Sequence, residues 1–397
     1  MNRRVVITGL GVVSPIGCGK ENFMDSLIAG KNGISQICVE GLENCYCRLY
    51  GMLDQNEIDR LAKKYLLVEE RSLSRCSQLS LITAIMAVND AKLSIDTDEE
   101  KFRTGVMFGT TQSDQYALCD NDKELECNRF SALANTAKHF DIHGESFFNA
   151  NLCASGNHAI SYAEDIIKSG RLDTAIVGGT DVFSKITYVS FNRLKAFSPD
   201  AIRPFDQKRN GTVLSEGAAM IVLEEYEHAK KRGAHIYGEI IGSGMSNDAY
   251  NIVAPDPSGN GIISAMKKAV DKSGISADDV DFVALHGTGT SANDSAEASA
   301  ITEFFGNHSH DITATAIKGN LGHQLGAASV TSMVMCALIP QYGCIPPTIN
   351  VSEPEQLKFT LVTNSPLAAQ PQIFMNNAYA FGGSNCSVLM KRWNDNE

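Results

Sequence analysis

Side chains that could carry out acyl chemistry occur in separate stretches of the sequence, each at the end of a segment that predicts a β-strand. The stretch NLCASGNHA contains Cys153, and the apolar spacing after it predicts a helix that stops at Ser169-Gly170. Cys153 is therefore expected in or just before the first turn, where unpaired N–H groups and the helix dipole favour negative charge. This position predicts a lowered thiol pKa and a thiolate that attacks acyl groups.

Two histidines and a lysine follow other predicted strands. His286 opens HGTGT, and Lys318 and His323 enclose KGNLGH, ahead of a helix so apolar that it must be buried. Ligand groups gather at the carboxyl ends of strands in open α/β sheets, so these side chains are expected to share one chamber with the cysteine. The histidines would donate to a developing negative charge, and the lysine would fix the local polarity. Glu297 and Asp294 are candidate partners that keep Lys318 charged.

Other interpretations of these residues remain open at this point. Cys153 could be one of eleven cysteines that fill core space, and the lysine-containing turn could only cap a helix. A cysteine protease would leave the second histidine and the lysine unexplained. His308 and His310 have no neighbouring cysteine, so no metal site is expected. An acyl-accepting thiol with two neutral imidazole donors fits best the attack of a decarboxylation-derived carbanion on a thioester.

The composition limits the classes of protein. A chain of 397 residues with 43% hydrophobic content can bury a large core. Its net charge of −12 argues against nucleic-acid and membrane partners, because both require a basic face. The eleven cysteines are scattered, odd in number and without a CxxC pair, which favours free thiols in a cytoplasmic protein. The apolar N-terminus is broken by glycine and proline, so it is interpreted as a core strand.

Strands and helices alternate along the chain, which predicts an α/β fold with mostly buried sheets. Gly9-Leu10-Gly11 is expected to form a turn after the first strand, but its spacing does not match a dinucleotide-binding loop. A second strand is expected to end in Gly242-Ser243-Gly244, as though the pattern restarts. We therefore expect two similar halves, residues 1–234 carrying the cysteine and residues 235–397 carrying the histidines and lysine.

Five motifs resemble those of one family. CASG, RPFDQKRNG with SEGAAMIVLEEYEHAKKRGA, HGTGTSAND, KGNLGHQLGAA and YAFGGSN are similar to the β-ketoacyl-ACP synthases, elongating condensing enzymes of the thiolase superfamily. The resemblance implies a duplicated five-layer αβαβα fold. It implies that Cys153 accepts the acyl group, that His286 and His323 stabilise the enolate, and that Lys318 paired with Glu297 holds the electrostatics of the site. It further implies an oxyanion hole from the N–H groups of Cys153 and Phe381, a gate formed by the Phe381 side chain, and pantetheine binding by Thr288 and Thr290.

The same resemblance implies partners. The substrates would be carried on the phosphopantetheine of the strongly acidic acyl carrier protein, with no cofactor bound by the enzyme. The positively charged residues expected to face the carrier are Arg71, Lys195, Lys63, Lys64 and Arg75. The HGTGTSAND motif is also similar to ketosynthase subunits of discrete (type II) polyketide systems, which pair with an inactive chain-length factor. Either a homodimer or such a heterodimer is therefore expected.

The chain also departs from the family pattern. Asn151-Leu152 precedes the cysteine where the family mostly has Thr-Ala, and the chain between Gly109 and Cys153 is shorter than in fatty-acid elongases. That segment normally helps to build the dimer interface and the far end of the acyl pocket, so substrate length is not predicted. The expected function is a 3-oxoacyl-ACP synthase that extends an acyl chain by two carbons in fatty-acid or polyketide synthesis. A non-condensing structural subunit and a cysteine-dependent thioester hydrolase are the alternatives.

Overall fold

The computed structural model describes residues 3–113 and 129–394. Its strands are β1 (Val5–Ser14), β2 (Gly17–Cys18), β3 (Ser35–Gln36), β4 (Leu49–Tyr50), β5 (Thr104–Gly109), β6 (Ser146–Asn149), β7 (Thr174–Asp181), β8 (Gly217–Glu225), β9 (Gly238–Asn247), β10 (Phe282–Ala284), β11 (Thr313–Thr315), β12 (Cys344–Ile345), β13 (Thr360–Leu361), β14 (Leu367–Ala368), β15 (Ile373–Tyr379) and β16 (Ser384–Arg392). Its helices are α1 (Lys20–Ile28), α2 (Gln55–Tyr65), α3 (Arg75–Ala91), α4 (Asp98–Arg103), α5 (Ser131–His139), α6 (Ser155–Lys168), α7 (Lys185–Arg193), α8 (Tyr226–Lys231), α9 (Asn260–Ser273), α10 (Ser291–Phe305), α11 (Lys318–Leu321) and α12 (Ala328–Tyr342).

The strand order is the same in the two parts of the chain. In the first part the order is β6-β5-β7-β8-β1, and in the second it is β11-β10-β15-β16-β9, with β13 added at the edge. In each part the first strand is antiparallel to the last, and the three strands farthest from it are parallel. A short pairing of β1 with β9 joins the two sheets. The expected restart of the pattern thus corresponds to a repeated topology.

Helices cover both faces of each sheet. α3 packs on β1 and β8, while α9 packs on β9 and β16. Between the sheets lie α6 and α12, which contact each other and supply much of the largest apolar cluster. The order of layers is helix, sheet, helix pair, sheet, helix, and the predicted five-layer αβαβα fold is confirmed.

The α12 helix is apolar for a structural reason. The stretch Leu325–Tyr342 has a mean hydropathy of 1.3 and is long and apolar enough, by length and composition alone, to cross a membrane. However, 83% of it is buried inside the protein. Because it lies between two sheets, every face of the helix meets apolar neighbours, as expected for a central core helix.

The two glycine pairs do not form turns as predicted. Gly9 and Gly11 lie inside β1, and Gly242 and Gly244 lie inside β9. A Cβ atom built on Gly9 would stand 2.1 Å from the Ala87 carbonyl oxygen of α3, and one on Gly244 would stand 2.2 Å from the corresponding atom of Ala265 in α9. The glycines therefore allow a helix to approach each strand closely, and the sequence pattern reflects packing instead of a turn.

Candidate active site

The reactive side chains are placed by the carboxyl ends of strands, as the sequence predicts. β10 ends just before His286, β11 just before Lys318, and β15 just before Phe381. Cys153 follows β6 and lies in a single 3-10 turn, Leu152–Ala154, directly ahead of α6. The loops that follow the parallel strands of both sheets thus meet in one region between the two parts of the chain.

The turn that carries the nucleophile is strained. Leu152 has φ +51°, in the left-handed region that side chains other than glycine rarely adopt. The bonds of this turn are donated by the N–H groups of Ala154 and Ser155, to the carbonyls of Asn151 and Leu152. The N–H of Cys153 lies outside these bonds, which leaves it free to serve an incoming oxygen.

One cavity of about 330 Å³ collects most of the expected residues. Its lining includes Cys153, His286, His323, Thr288, Thr290 and Phe381. The two imidazole rings lie 5.5 Å apart between centroids, at 84° to each other. The sulfur and both imidazoles therefore share one chamber, as expected. Lys318, which was expected there too, is absent from the cavity lining and contacts His286, with Nζ 3.4 Å from Nδ1.

In both catalytic-site histidines the Nδ1 atom faces a hydrogen-bond donor. The Nδ1 atom of His323 accepts from the N–H of Leu325 at 3.2 Å, and the Nδ1 atom of His286 lies 3.4 Å from Nζ of Lys318. With Nδ1 as acceptor in each ring, the proton of the neutral tautomer is assigned to Nε2. Burial lowers the pKa of both histidines well below 6.5, and the positive charge of Lys318 lowers it further. Each ring is therefore a neutral hydrogen-bond donor at neutral pH.

Lys318 and Glu297 do not make the direct pair that the resemblance implied. In the described parts of the chain Glu297 makes no ion pair; its carboxylate accepts the N–H groups of His286 at 2.7 Å and Gly287 at 2.9 Å. Lys318 donates from Nζ to the carbonyl oxygen of His286. Both are buried, so burial lowers the pKa of Lys318 and raises that of Glu297, while each charge favours the other. The two residues thus bind different groups of the His286 backbone, Glu297 its N–H and Lys318 its carbonyl oxygen.

The predicted low thiol pKa of Cys153 is wrong for the free protein. Burial raises the pKa of the thiol to about 12, and the nearby charge of Asp181 raises it further, whereas Lys318 acts in the opposite direction. The thiol is only 7% exposed, so the loss of hydration outweighs the favourable position ahead of a helix. Cys153 is therefore a neutral thiol at neutral pH, and its proton must leave during the reaction.

Phe381 lines the cavity beside another aromatic residue. Its ring stacks on Phe191, with centroids 5.6 Å apart and planes at 18°. In the turn that follows β15, Gly382 donates to the carbonyl of Ile252, and Gly383 donates to that of Ala380. The Phe381 N–H lies outside these bonds, so it is available together with that of Cys153.

Four of the basic residues predicted to dock the carrier are exposed, whereas the fifth is held in an ion pair. Lys195 is exposed and lines the cavity. Lys63, Lys64 and Arg71 are exposed on and after α2, with Arg71 bound to backbone carbonyls. Arg75 instead forms a two-bond ion pair with the buried carboxylate of Glu216, at 2.7 and 2.8 Å. This contact supports a structural role for Arg75 and argues against the docking role predicted for it.

Sequence reasoning missed several residues of the site. Tyr379 lines the cavity with its ring 5.6 Å from that of His286, and Thr212 lines it as well. Asp181 is fully buried at the end of β7 and acts electrostatically on Cys153. Asp181 could have been found from the sequence TAIVGGTD, because it is a charged residue at the end of an otherwise mostly apolar strand.

Two family models match the chain over most of its length. The N-terminal domain of beta-ketoacyl synthase matches residues 2–229, and the C-terminal domain matches residues 237–352. Nodulation protein E of Rhizobium meliloti (strain 1021) is 33% identical over 416 residues, covering 99% of this chain and all of that protein. The 3-oxoacyl-(acyl-carrier-protein) synthase 2 of the same strain is 32% identical, covering 98% of this chain and 99% of that protein.

A solved structure agrees with these matches. The structure described as the ishigamide ketosynthase/chain length factor superposes with a TM-score of 0.91 at 33% identity, covering 99% of this chain and 100% of that one. The fold is that of a thiolase-like enzyme, and the relatives show a condensing enzyme, an acyltransferase of fatty-acid or polyketide synthesis. The chain belongs to the β-ketoacyl synthase family.

Proposed function

We propose that the protein condenses a Cys153-bound acyl group with malonyl-ACP, with loss of carbon dioxide, to give a 3-oxoacyl-ACP longer by two carbons. The observation that carries this proposal is the pair of neutral imidazoles, each with Nδ1 occupied, in one cavity with the thiol. Two neutral donors suit an enolate oxygen, which gains negative charge only as carbon dioxide departs.

Loading is the first stage. Sγ of Cys153 attacks the thioester carbonyl, the carrier thiol leaves, and the proton of the cysteine passes to the departing sulfur. The N–H groups of Cys153 and Phe381, both outside local hydrogen bonds, hold the tetrahedral oxyanion. Because the thiol is neutral before substrate binds, deprotonation is coupled to transfer instead of preceding it.

Decarboxylation and attack form the second stage. The malonyl thioester loses carbon dioxide, and its thioester oxygen becomes an enolate oxygen held by Nε2–H of His286 and His323. The enolate carbon then attacks the acyl group on Cys153, and the thiolate that leaves takes up a proton. Lys318, bound to the carbonyl of His286, orients that histidine and adds positive potential. Thr288 and Thr290, whose hydroxyl oxygens lie 2.9 Å apart on the cavity wall, bind the phosphopantetheine arm.

The partners follow from the relatives. Acyl carrier protein is the proposed donor of both substrates, since the name of one relative specifies it. It would dock against Lys195 at the cavity and against Lys63, Lys64 and Arg71. The catalytic subunit would form a homodimer, or a heterodimer with a chain-length factor of the kind named for the solved neighbour. No bound cofactor takes part in this scheme, because the side chains and the carrier-borne thioesters supply every group that reacts.

We assign the chain two thiolase-like halves, residues 1–234 and 235–397, in a cytoplasmic enzyme. The repeated strand order supports this division, as does the position of the gap between the two family matches. The first half contributes Cys153, and the second contributes both histidines, Lys318 and Phe381.

The test separates the two stages. Cys153→Ala should abolish the acyl adduct seen by intact-mass measurement after incubation with acyl-ACP, and with it all elongation. Malonyl-ACP decarboxylation can persist in this variant, because both imidazoles are intact. Normal elongation by Cys153→Ala would refute the nucleophile. Release of free acid in place of 3-oxoacyl-ACP by the native enzyme would favour a thioester hydrolase.

A further inference from the structure

Asp181 is a fully buried carboxylate that the proposed chemistry does not use. It ends β7, between the connections that carry the nucleophile and the second histidine. Its Oδ1 accepts from the Thr110 hydroxyl at 2.8 Å and the Gln112 N–H at 3.0 Å, and its Oδ2 accepts from the N–H groups of Thr111 and Gly326 at 2.8 and 2.7 Å. Burial raises the pKa of Asp181 from 3.8 to about 6, and the four donors act against this rise, so the carboxylate is mainly ionised above pH 7 and is held in one position.

These bonds join two loops that flank Cys153. Thr110–Gln112 follows β5, and the carbonyl of Thr110 in turn accepts from the hydroxyl of Ser155, two residues after the nucleophile. Gly326 lies three residues after His323, next to Leu325, whose side chain packs in one apolar cluster with Cys153. One side chain therefore sets the distance between the nucleophile turn and the turn of the second histidine.

The charge of Asp181 also acts on the thiol. Burial is the main cause of the raised thiol pKa, and two charged groups then act in opposite directions, Lys318 downward and Asp181 upward. His286 and His323 share the cavity but are neutral, so they leave this balance unchanged at neutral pH. A negative charge near a sulfur disfavours the thiolate, which is the form that oxidants and alkylating agents attack.

We propose that Asp181 is a positioning residue that fastens the nucleophile turn to the turn of His323, and that its negative charge adds to the effect of burial in disfavouring the thiolate of Cys153 in the free enzyme. This inference rests on the proposed function only in naming Cys153 as the nucleophile. Its two parts can be separated, because the position depends on the hydrogen bonds and the protonation depends on the charge.

The experiment compares variants that remove the charge, a neighbouring hydroxyl, or an unrelated buried carboxylate. Asp181→Asn removes the charge at nearly constant volume and turns an NH2 group towards one pair of donors. Thr110→Val leaves the charge in place but removes the hydroxyl that donates to Asp181 and accepts the N–H of Ser113 at 2.8 Å. Glu224→Gln is the matched control: Glu224 is fully buried and binds Thr8 and Arg232, but it lies beside Thr174, at the opposite end of β7. The rate of Cys153 alkylation by iodoacetamide is followed from about pH 7 to 10 by peptide mass, which resolves it from the other cysteines.

Asp181→Asn should raise the alkylation rate of Cys153 about three-fold or more at each pH below the thiol pKa, because a nearby negative charge is lost. Thr110→Val should keep the native alkylation profile and lower kcat for elongation about three-fold or more, since only the placement of the turn changes. Glu224→Gln should match the native enzyme in both assays.

The contrary results are equally specific. An unchanged alkylation profile in folded Asp181→Asn overturns the charge role, and native kcat in Thr110→Val overturns the positioning role. If Asp181→Asn does not fold, Asp181→Ser repeats the test, because a hydroxyl still accepts one N–H and leaves space for water. Failure of the native enzyme to elongate malonyl-ACP would refute the proposed function instead, and it would leave the alkylation result standing.

Discussion

Replacing Glu297 by glutamine should slow malonyl-ACP decarboxylation about tenfold or more while acyl transfer to Cys153 continues. The Glu297 carboxylate is fully buried, and its two oxygens accept the N–H groups of His286 and Gly287 at 2.7 and 2.9 Å. Glutamine keeps one acceptor but turns its NH2 group towards the other N–H, so at least one charge-assisted bond, worth about 1.5–3 kcal/mol, is lost. About 1.4 kcal/mol in activation free energy is a tenfold change in rate. The predicted effect therefore requires only part of the lost bond energy to raise the barrier, through a less well placed His286.

The same substitution should change the pH dependence. The charge of Glu297 raises the pKa of Lys318, against the effect of burial, which lowers it from the ordinary value of 10.5. Without that charge, Lys318 loses its proton at a lower pH than in the native enzyme. Because the ammonium form is the one that supplies positive potential, the alkaline fall in decarboxylation should move to lower pH in Glu297→Gln.

The assay measures carbon dioxide release from malonyl-ACP between about pH 6 and 9, with the acyl adduct on Cys153 measured in parallel by intact mass. Glu224→Gln is again a suitable control, since it also removes a buried carboxylate but lies at the far end of the sheet. A native decarboxylation rate in Glu297→Gln, with an unshifted alkaline limb, would refute this role of the carboxylate. Equal loss of loading and decarboxylation would point to general unfolding, which circular dichroism would reveal.

Other contacts give shorter predictions. His323→Ala should lose most decarboxylation yet still accept an acyl group on Cys153, as carbon dioxide release and intact mass would record. Because burial lowers the pKa of both catalytic imidazoles well below 6.5, the decarboxylation rate should be flat just above pH 6.5, and an acidic midpoint there would contradict their neutral state. The Tyr379 hydroxyl has no partner in the described parts of the chain, so Tyr379→Phe should raise the free energy of unfolding by about 1 kcal/mol, measured by urea denaturation. Two arginines lower the pKa of Asp173 from 3.8 to about 2, so the stability it adds is present above pH 3.8 and lost as pH falls to 2. Asp173→Asn should accordingly be less stable than the native protein near pH 6 and equally stable near pH 2.

The fold was predictable because short stretches of sequence are enough to indicate its strands and helices. Apolar runs such as Thr174–Asp181 and Gly217–Glu225 became strands almost as expected, since buried strands of an α/β protein carry few polar residues. The glycine pairs in β1 and β9 were wrongly predicted to be turns, because a close helix and a tight turn both require glycine. Only the tertiary contact with Ala87 or Ala265 distinguishes these two causes.

The chemistry of the site was only partly predictable. Residue types and their places after strands predicted that Cys153, His286, Lys318 and His323 lie close together, because strand ends converge in this architecture. The pKa of the thiol was not predictable, since it depends on burial by residues distant in sequence. The role of Glu297 was likewise hidden, because its partners are backbone N–H groups, which no pattern of side chains reveals.

The repeated topology explains why a duplicated fold has a single nucleophile. Leu152-Cys153-Ala154 before α6 and Leu325-Gly326-Ala327 before α12 form matching 3-10 turns, and both leucines have φ near +50°. In the second turn a Cβ on Gly326 would stand 2.5 Å from Cα of Thr110 and 2.8 Å from Oδ2 of Asp181. No side chain fits there, so the second turn can offer only its N–H, which binds Asp181. The asymmetry of the site therefore arises from packing: one turn has room for a reactive side chain, and the other serves to hold that turn in place.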